Sequence, residues 1–129
     1  MNNPRMTPKE RAMVAASIRR VFSRSELRAR VMAICKVDHA DSERPRVKRW
    51  SLCPKCNQFT PSYQMQCDHI EPVIHVNERL EDITWNDLVN RIWCENKNLQ
   101  PLCLTCHKAK SKIENKRRRE LKKEKANGT

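Results

Sequence analysis

Two cysteine pairs constrain this chain more than anything else in it. Cys53-Pro54-Lys55-Cys56 and Cys103-Leu104-Thr105-Cys106 each put two thiols one tight turn apart, and 46 residues separate the pairs. Four thiolates at this spacing suit a closed tetrahedral zinc site, with Cys53, Cys56, Cys103 and Cys106 as ligands. The rest of the composition makes such a staple necessary: aromatics are only 5% of 129 residues, and the mean hydropathy is −0.86. Structural zinc contributes about 10 to 16 kcal/mol of apparent binding free energy near neutral pH, enough to offset a thin core, so folding is expected to depend on metal. The remaining Cys35, Cys67 and Cys94 read as small buried hydrophobes. Two other cysteine chemistries are disfavoured. Cys103 to His107 fits a c-type haem attachment pattern, but Met1 to Lys9 lacks the apolar stretch of an export signal and the other pair has no histidine. A thioredoxin-like redox pair needs a surrounding βαβ pattern, which is absent.

Charge is the second constraint. Lys and Arg number 27 against 15 Asp and Glu, a net +12 with neutral histidines. Residues 1–50 carry +8, residues 51–107 carry −3 and residues 108–129 carry +7. Six of the seven cysteines and three of the four histidines lie in the mildly acidic middle. A metal-bearing centre between two basic arms points to a polyanionic partner, most simply nucleic acid. No run of about 18 apolar residues occurs, so no membrane span is expected and the protein is expected in a reducing cytoplasm.

Local signals divide the chain into segments. Thr7-Pro8-Lys9-Glu10 opens a helix as a capping box with proline in the first turn, and Val14, Ile18, Val21 and Phe22 follow at helical spacing. Ser23 to Glu26 offers a second capping box before Leu27, Val31 and Ile34. Residues 36–49 read as a linker. Trp50 to Leu52 forms a short strand, residues 57–74 a twisted and irregular hairpin, and Thr84 starts a short helix through Leu88, Ile92 and Trp93. A last helix is predicted from near Leu104 to about Lys125, with Ala109, Ile113 and Leu121 as a thin apolar stripe. The organisation expected is a basic helical extension and linker over 1–49, a core over 50–112 and a basic helix or tail over 113–129.

Within the core, Cys67-Asp68-His69-Ile70-Glu71-Pro72 is followed by Asn98-Leu99-Gln100-Pro101-Leu102 and then by Cys103-x-x-Cys106-His107. Taken singly, His69 and His107 are ordinary histidines and Asn98 an ordinary turn residue. Taken together they supply what phosphodiester hydrolysis needs: a base, a cation site and fixed geometry. His69 suits the base, since imidazole is substantially neutral near pH 7. Asp68 and His107 offer one oxygen and one nitrogen to a divalent metal. Neighbours on an extended segment point opposite ways, so Asp68 can face the metal while His69 faces water.

In this ordered series, covering roughly residues 50–112, the chain resembles the HNH endonuclease family, in the zinc-knuckle branch that includes McrA-like restriction enzymes and many phage proteins. The resemblance implies an α+β protein with a small ββα-metal (His-Me finger) core, stapled here by the four-cysteine zinc site. It matches His69, Asn98 and His107 to the family's motif residues, with His69 as general base, Asn98 bracing the base loop, and Asp68 and His107 on a catalytic divalent cation (Mg2+, Mn2+, Ni2+ or Zn2+). It also implies products with a 3′-hydroxyl and a 5′-phosphate, and a bacterial or phage-infected host cell. Residues 73–86 depart from the pattern, being glycine-free where many members are glycine-rich.

DNA is then the expected partner. Lys108, Lys110, Lys112, Arg117, Arg118 and Arg119 on the last helix, with Arg19 and Arg20 on the first, are expected to contact its backbone. Neutralising about six phosphates would give a log–log salt slope of about −5. No base-reading module is present, so weak sequence preference is expected. The alternative is a non-catalytic zinc-ribbon adaptor that binds nucleic acid in a packaging or replication complex, with packaging proteins as partners.

Overall fold

The protein is described by a computed structural model over residues 5–128. Helix α1 spans Pro8–Phe22 and starts at Thr7, whose hydroxyl accepts from Glu10 N at 3.1 Å while the Glu10 carboxylate accepts from Thr7 N at 2.9 Å. This reciprocal box satisfies two otherwise orphaned N–H groups. Helix α2, Glu26–Ala33, is capped by Ser25, which accepts from Arg28 N. The box expected at Ser23 is not formed, because Ser23 closes α1 with its own N–H on the carbonyls of Arg19 and Val21. Ser25 is the next residue in extended conformation and takes the role.

Three short antiparallel strands follow in sequence order: β1 (Lys36–Val37), β2 (Trp50–Leu52) and β3 (Phe59–Pro61). The β2–β3 turn is the Cys53–Cys56 knuckle. Asn57 closes it at φ 57°, with its N–H donating to Cys53 O at 2.8 Å; asparagine tolerates this left-handed conformation better than most residues. The segment expected to be a linker is folded back on this sheet, with the His39 ring stacked on Phe59 at 3.9 Å and the Arg44 guanidinium 5.0 Å from the Trp50 ring.

Strand β4 (Met65–His69) pairs antiparallel with β5 (Leu99–Cys103), so that Asp68 faces Gln100 and His69 faces Leu99 across the register. The hairpin expected within residues 57–74 is therefore split. Pro61 ends β3, a 3-10 turn at Ser62–Gln64 redirects the chain, and β4 takes a partner thirty or more residues onward. Between β4 and β5 lies helix α3, Trp85–Ile92, capped by Thr84. Helix α4, Leu104–Asn127, leaves directly from β5.

Two apolar clusters hold these pieces. The larger joins Ala15, Phe22 and Val31 of the N-terminal helices to Val73, Ile83, Leu88, Ile92 and Leu99. Leu88 and Ile92 are fully buried, worth about 1.5–3 kcal/mol apiece. Residues before 50 thus share the core of the strands and α3. The smaller cluster is Cys35, Met65 and Leu102 packed around Cys53 and Cys103. Cys35 is buried, as expected, while Cys67 and Cys94 are partly buried at the edge of the larger cluster.

Of the apolar stripe expected on α4 only Leu121 faces inward: Ala109 is exposed and Ile113 is 70% exposed. The inward face is His107, Lys110, Ser111, Glu114, Arg118 and Leu121. The cause lies at the helix start, where Cys106 must meet Cys53 and so sets the rotation of everything beyond it. The protein is a mixture of four α-helices and two small antiparallel sheets among the described residues, in keeping with the α+β expectation.

Candidate functional site

The four cysteine sulfurs lie within 4.8 Å of one another. Cys53 Sγ is 3.9 Å from Cys106 Sγ, and Cys56 Sγ is 3.7 Å from Cys103 Sγ. A tetrahedral zinc with arms of about 2.3 Å needs an edge of about 3.8 Å, so the cluster has the dimensions to hold one metal ion. Backbone N–H groups already aim at the sulfurs: Cys103 N donates to Cys53 Sγ and Cys106 N to Cys103 Sγ. Burial opposes ionisation of Cys53, but N–H groups of Cys103, Cys56 and Lys55 outweigh it and bring this thiol down to about 6. Hydrogen bonding to Cys103, then burial and the other sulfurs, push Cys106 up to about 12. A divalent cation is held by thiolates, so its binding here would release protons from the cluster. Cys67 is a different kind of thiol: burial, with lesser contributions around it, raises it to about 11, which makes it inert.

Beyond this cluster, β4, the segment 72–80 that follows it, α1 and the inward face of α4 enclose a cleft of about 520 Å³, lined among others by Arg19, Asp68, His69, His107, Glu114 and Arg118. Asp68 is 5% exposed. Its Oδ2 accepts from Gln100 Nε2 at 2.9 Å and lies 3.3 Å from Lys110 Nζ, while Oδ1 lies 3.8 Å from His107 Nε2. The carboxylate is thereby locked with one oxygen toward His107. Two metal–ligand arms of about 2.1 Å can span up to about 4.2 Å, so this oxygen and nitrogen can reach a common cation.

The His69 ring is fixed from two sides. Its Nε2 is 2.8 Å from the Ile92 carbonyl at the end of α3, which accepts the Nε2 proton and leaves Nδ1 with the lone pair. Phe22 lies 5.5 Å from the ring and is itself braced edge-on by Trp93 at 5.2 Å. Burial holds this imidazole below the usual 6.5; Arg19 and Lys110 act the same way, while the Ile92 hydrogen bond and Asp68 oppose them. These shifts favour the neutral ring.

Asn98 ties down the segment after His69. Its Oδ1 accepts from Glu71 N at 2.8 Å, its Nδ2 donates to Glu71 O, and its own carbonyl accepts from Ile70 N at 2.8 Å. Arg118 pins the next stretch by donating to the carbonyls of Ile74 and His75. Arg91 reaches the same loop through Val73 O and the Glu78 carboxylate.

The basic residues expected to meet DNA sort into separate places. Arg19 and Arg118 line the cleft; Lys108, Lys112 and Arg119 share an adjoining groove of about 580 Å³ with His107, Ser111 and Gln66. Arg20 donates to Ser17 on the exposed side of α1, and Arg117 pairs with Glu120 and Glu124, so neither belongs to the cleft. Lys110 is turned inward, with its ammonium on Asp68, the His69 carbonyl at 3.0 Å and Glu114 at 2.9 Å.

Sequence reasoning missed Phe22, Gln100, Glu114 and the inward role of Lys110. A helical period counted from His107 rather than from Ile113 would have found Lys110 and Glu114. No protein-family model, no curated protein and no solved structure matches the chain.

Proposed function

We propose that this chain is a metal-dependent endonuclease of the HNH type that hydrolyses DNA phosphodiester bonds, with β4, β5 and the first turns of α4 as its ββα-metal core and zinc in the four-cysteine cluster. One observation carries the reading: a doubly braced imidazole shares a cleft with a carboxylate oxygen and a second imidazole close enough for one cation. In this reading Nδ1 of His69 takes the proton from the attacking water, while Ile92 O and Phe22 keep the ring from turning. Asn98 holds the backbone that carries it. Asp68 Oδ1 and His107 Nε2 would hold a divalent cation, Mg2+, Mn2+, Ni2+ or Zn2+, whose chemistry is to stabilise charge on the phosphate and the leaving oxygen. Arg19 attracts a phosphate into the cleft, and Lys108, Lys112 and Arg119 extend the contact along the backbone. The four-cysteine site sets the rotation of α4 and with it the direction of His107. Cleavage with weak sequence preference, of phage, mobile-element or restriction type, fits a cleft without base-reading elements.

The test is incubation of supercoiled plasmid with the zinc-loaded protein and each of the four cations, followed by labelling of the ends. The expected outcome is nicked or linear product bearing 5′-phosphate and 3′-hydroxyl. A second reading, a zinc-stapled adaptor that binds nucleic acid without cleaving it, draws on Lys110, whose ammonium already neutralises Asp68 and Glu114. Tight plasmid binding with no product under any of the cations would favour it.

A further inference from the structure

On the three-stranded sheet, a recess of about 520 Å³ is lined by Lys36, Arg46, Val47, Lys48, Arg49, Ser62 and Tyr63. Four of its seven walls are cations and none is acidic. Asp41, between Lys36 and Arg46 in sequence, is taken by Arg44 at 3.2 Å. No hydrogen bond or ion pair engages the four cationic side chains among the described residues, unlike Lys110 and Arg91, which are committed to carboxylates. Tyr63 is 75% exposed, so its ring face is presented and not packed.

The backbone beneath these groups is rigid. Ser62 N donates to Arg49 O at 3.0 Å, the Ser51 and Ser62 hydroxyls meet at 2.8 Å, and the buried Trp50 donates from Nε1 to Val47 O at 3.2 Å. Cations and ring thus sit on three adjoining segments, β1, residues 46–49 and the 3-10 turn at 62–64, the last two tied by hydrogen bonds, which lowers the ordering cost of binding an extended ligand. Four unneutralised charges call for a polyanion, and a free aromatic face beside them calls for a planar partner. A nucleic acid with unpaired bases offers both, phosphates for the cations and a base for the ring, whereas an acidic peptide or a duplex leaves the ring unused.

From this juxtaposition we propose a second nucleic-acid site, separate from the Asp68–His107 cleft, in which Tyr63 stacks on an unpaired base while Lys36, Arg46, Lys48 and Arg49 hold the adjoining phosphates. The site goes beyond the cleavage reading and does not depend on it.

Tyr63 is the only tyrosine of the chain, so fluorotyrosine incorporation gives a single fluorine resonance that reports on this place alone. The zinc-loaded full chain, without added divalent cation, is titrated with an oligothymidylate of about eight nucleotides, its abasic counterpart, a duplex and polyglutamate. The expected result is a saturable shift with the oligothymidylate and little shift with the other three. Tyr63→Ala should weaken oligothymidylate binding about fivefold or more, and Arg46→Ala with Lys48→Ala should reduce the log–log salt slope by roughly 1.4. The proposal is overturned if the oligothymidylate binds without moving the resonance, if the abasic strand, the duplex or polyglutamate moves it equally, or if the double variant keeps full affinity. Since nothing is cleaved in this assay, a failure of the nuclease reading leaves the outcome interpretable.

Discussion

Replacing Lys110 with methionine separates two views of the last helix. If Lys110 were a solvated lysine waiting for DNA, its loss would change stability by no more than about 0.5 kcal/mol. In the structure its side chain is 17% exposed and its ammonium serves Asp68, whose side chain is 6% exposed, together with Glu114 and the His69 carbonyl. Methionine keeps most of the packing volume but strands the Asp68 carboxylate with only Gln100 as a close donor. Removing one partner of a buried pair costs about 3–5 kcal/mol. Glu114 is 23% exposed and can turn to water, so the lower end applies, about 3 kcal/mol. For a chain of this size that corresponds to a fall in Tm on the order of 10 °C. Urea unfolding of the zinc-loaded protein at neutral pH measures it. In a double-mutant cycle, Asp68→Asn should recover more than about 1 kcal/mol of the Lys110→Met loss. A loss below about 0.5 kcal/mol, or strict additivity in the cycle, would refute the inward placement of Lys110.

Three further outcomes follow from the same geometry. Burial holds the folded-state His69 below 6.5, so the unfolded chain binds the extra proton: this contribution to stability is complete above about 6.5 and is lost as pH falls through the window beneath it. His69→Gln should flatten that part of a stability–pH curve measured by chemical unfolding. Cys103→Ser should abolish stoichiometric zinc and the cooperative thermal transition together, since the structural metal contributes about 10–16 kcal/mol; zinc content and calorimetry check it, and retention of both would contradict the four-cysteine site. Asn57→Val should cost about 1–2 kcal/mol in urea unfolding because it forces a β-branched residue to φ 57°, whereas Asn57→Gly should be tolerated.

What could be read in the sequence was what local chemistry determines. The Thr7–Glu10 box, the Thr84 cap and the two CxxC knuckles depend on residues a few positions apart, and all three form. Pairing across long separations left no such mark. Met65 to His69 could not be matched to Leu99 to Cys103 by pattern, since the segment between them carries its own helix and the alternation of β4 is imperfect. The rotation of α4 was misjudged for a related reason: Ala109, Ile113 and Leu121 look like a buried stripe, but the Cys106 sulfur fixes which side faces in, and of the three only Leu121 turns inward. In and beside the cleft, Asp68, His69 and His107, with Asn98 bracing the segment after His69, were visible as residue types in order. Their supports were not, because Phe22 comes from a helix distant in sequence and Lys110 looks like one of many surface lysines.

The nuclease reading rests on His69 as the base. Its most direct test is the rate of divalent-dependent plasmid nicking by the parent protein beside His69→Ala, at equal zinc content and with both proteins folded. The account predicts nicking by the parent and a loss of about 10²- to 10⁴-fold in the variant. Equal rates in the two proteins would contradict it.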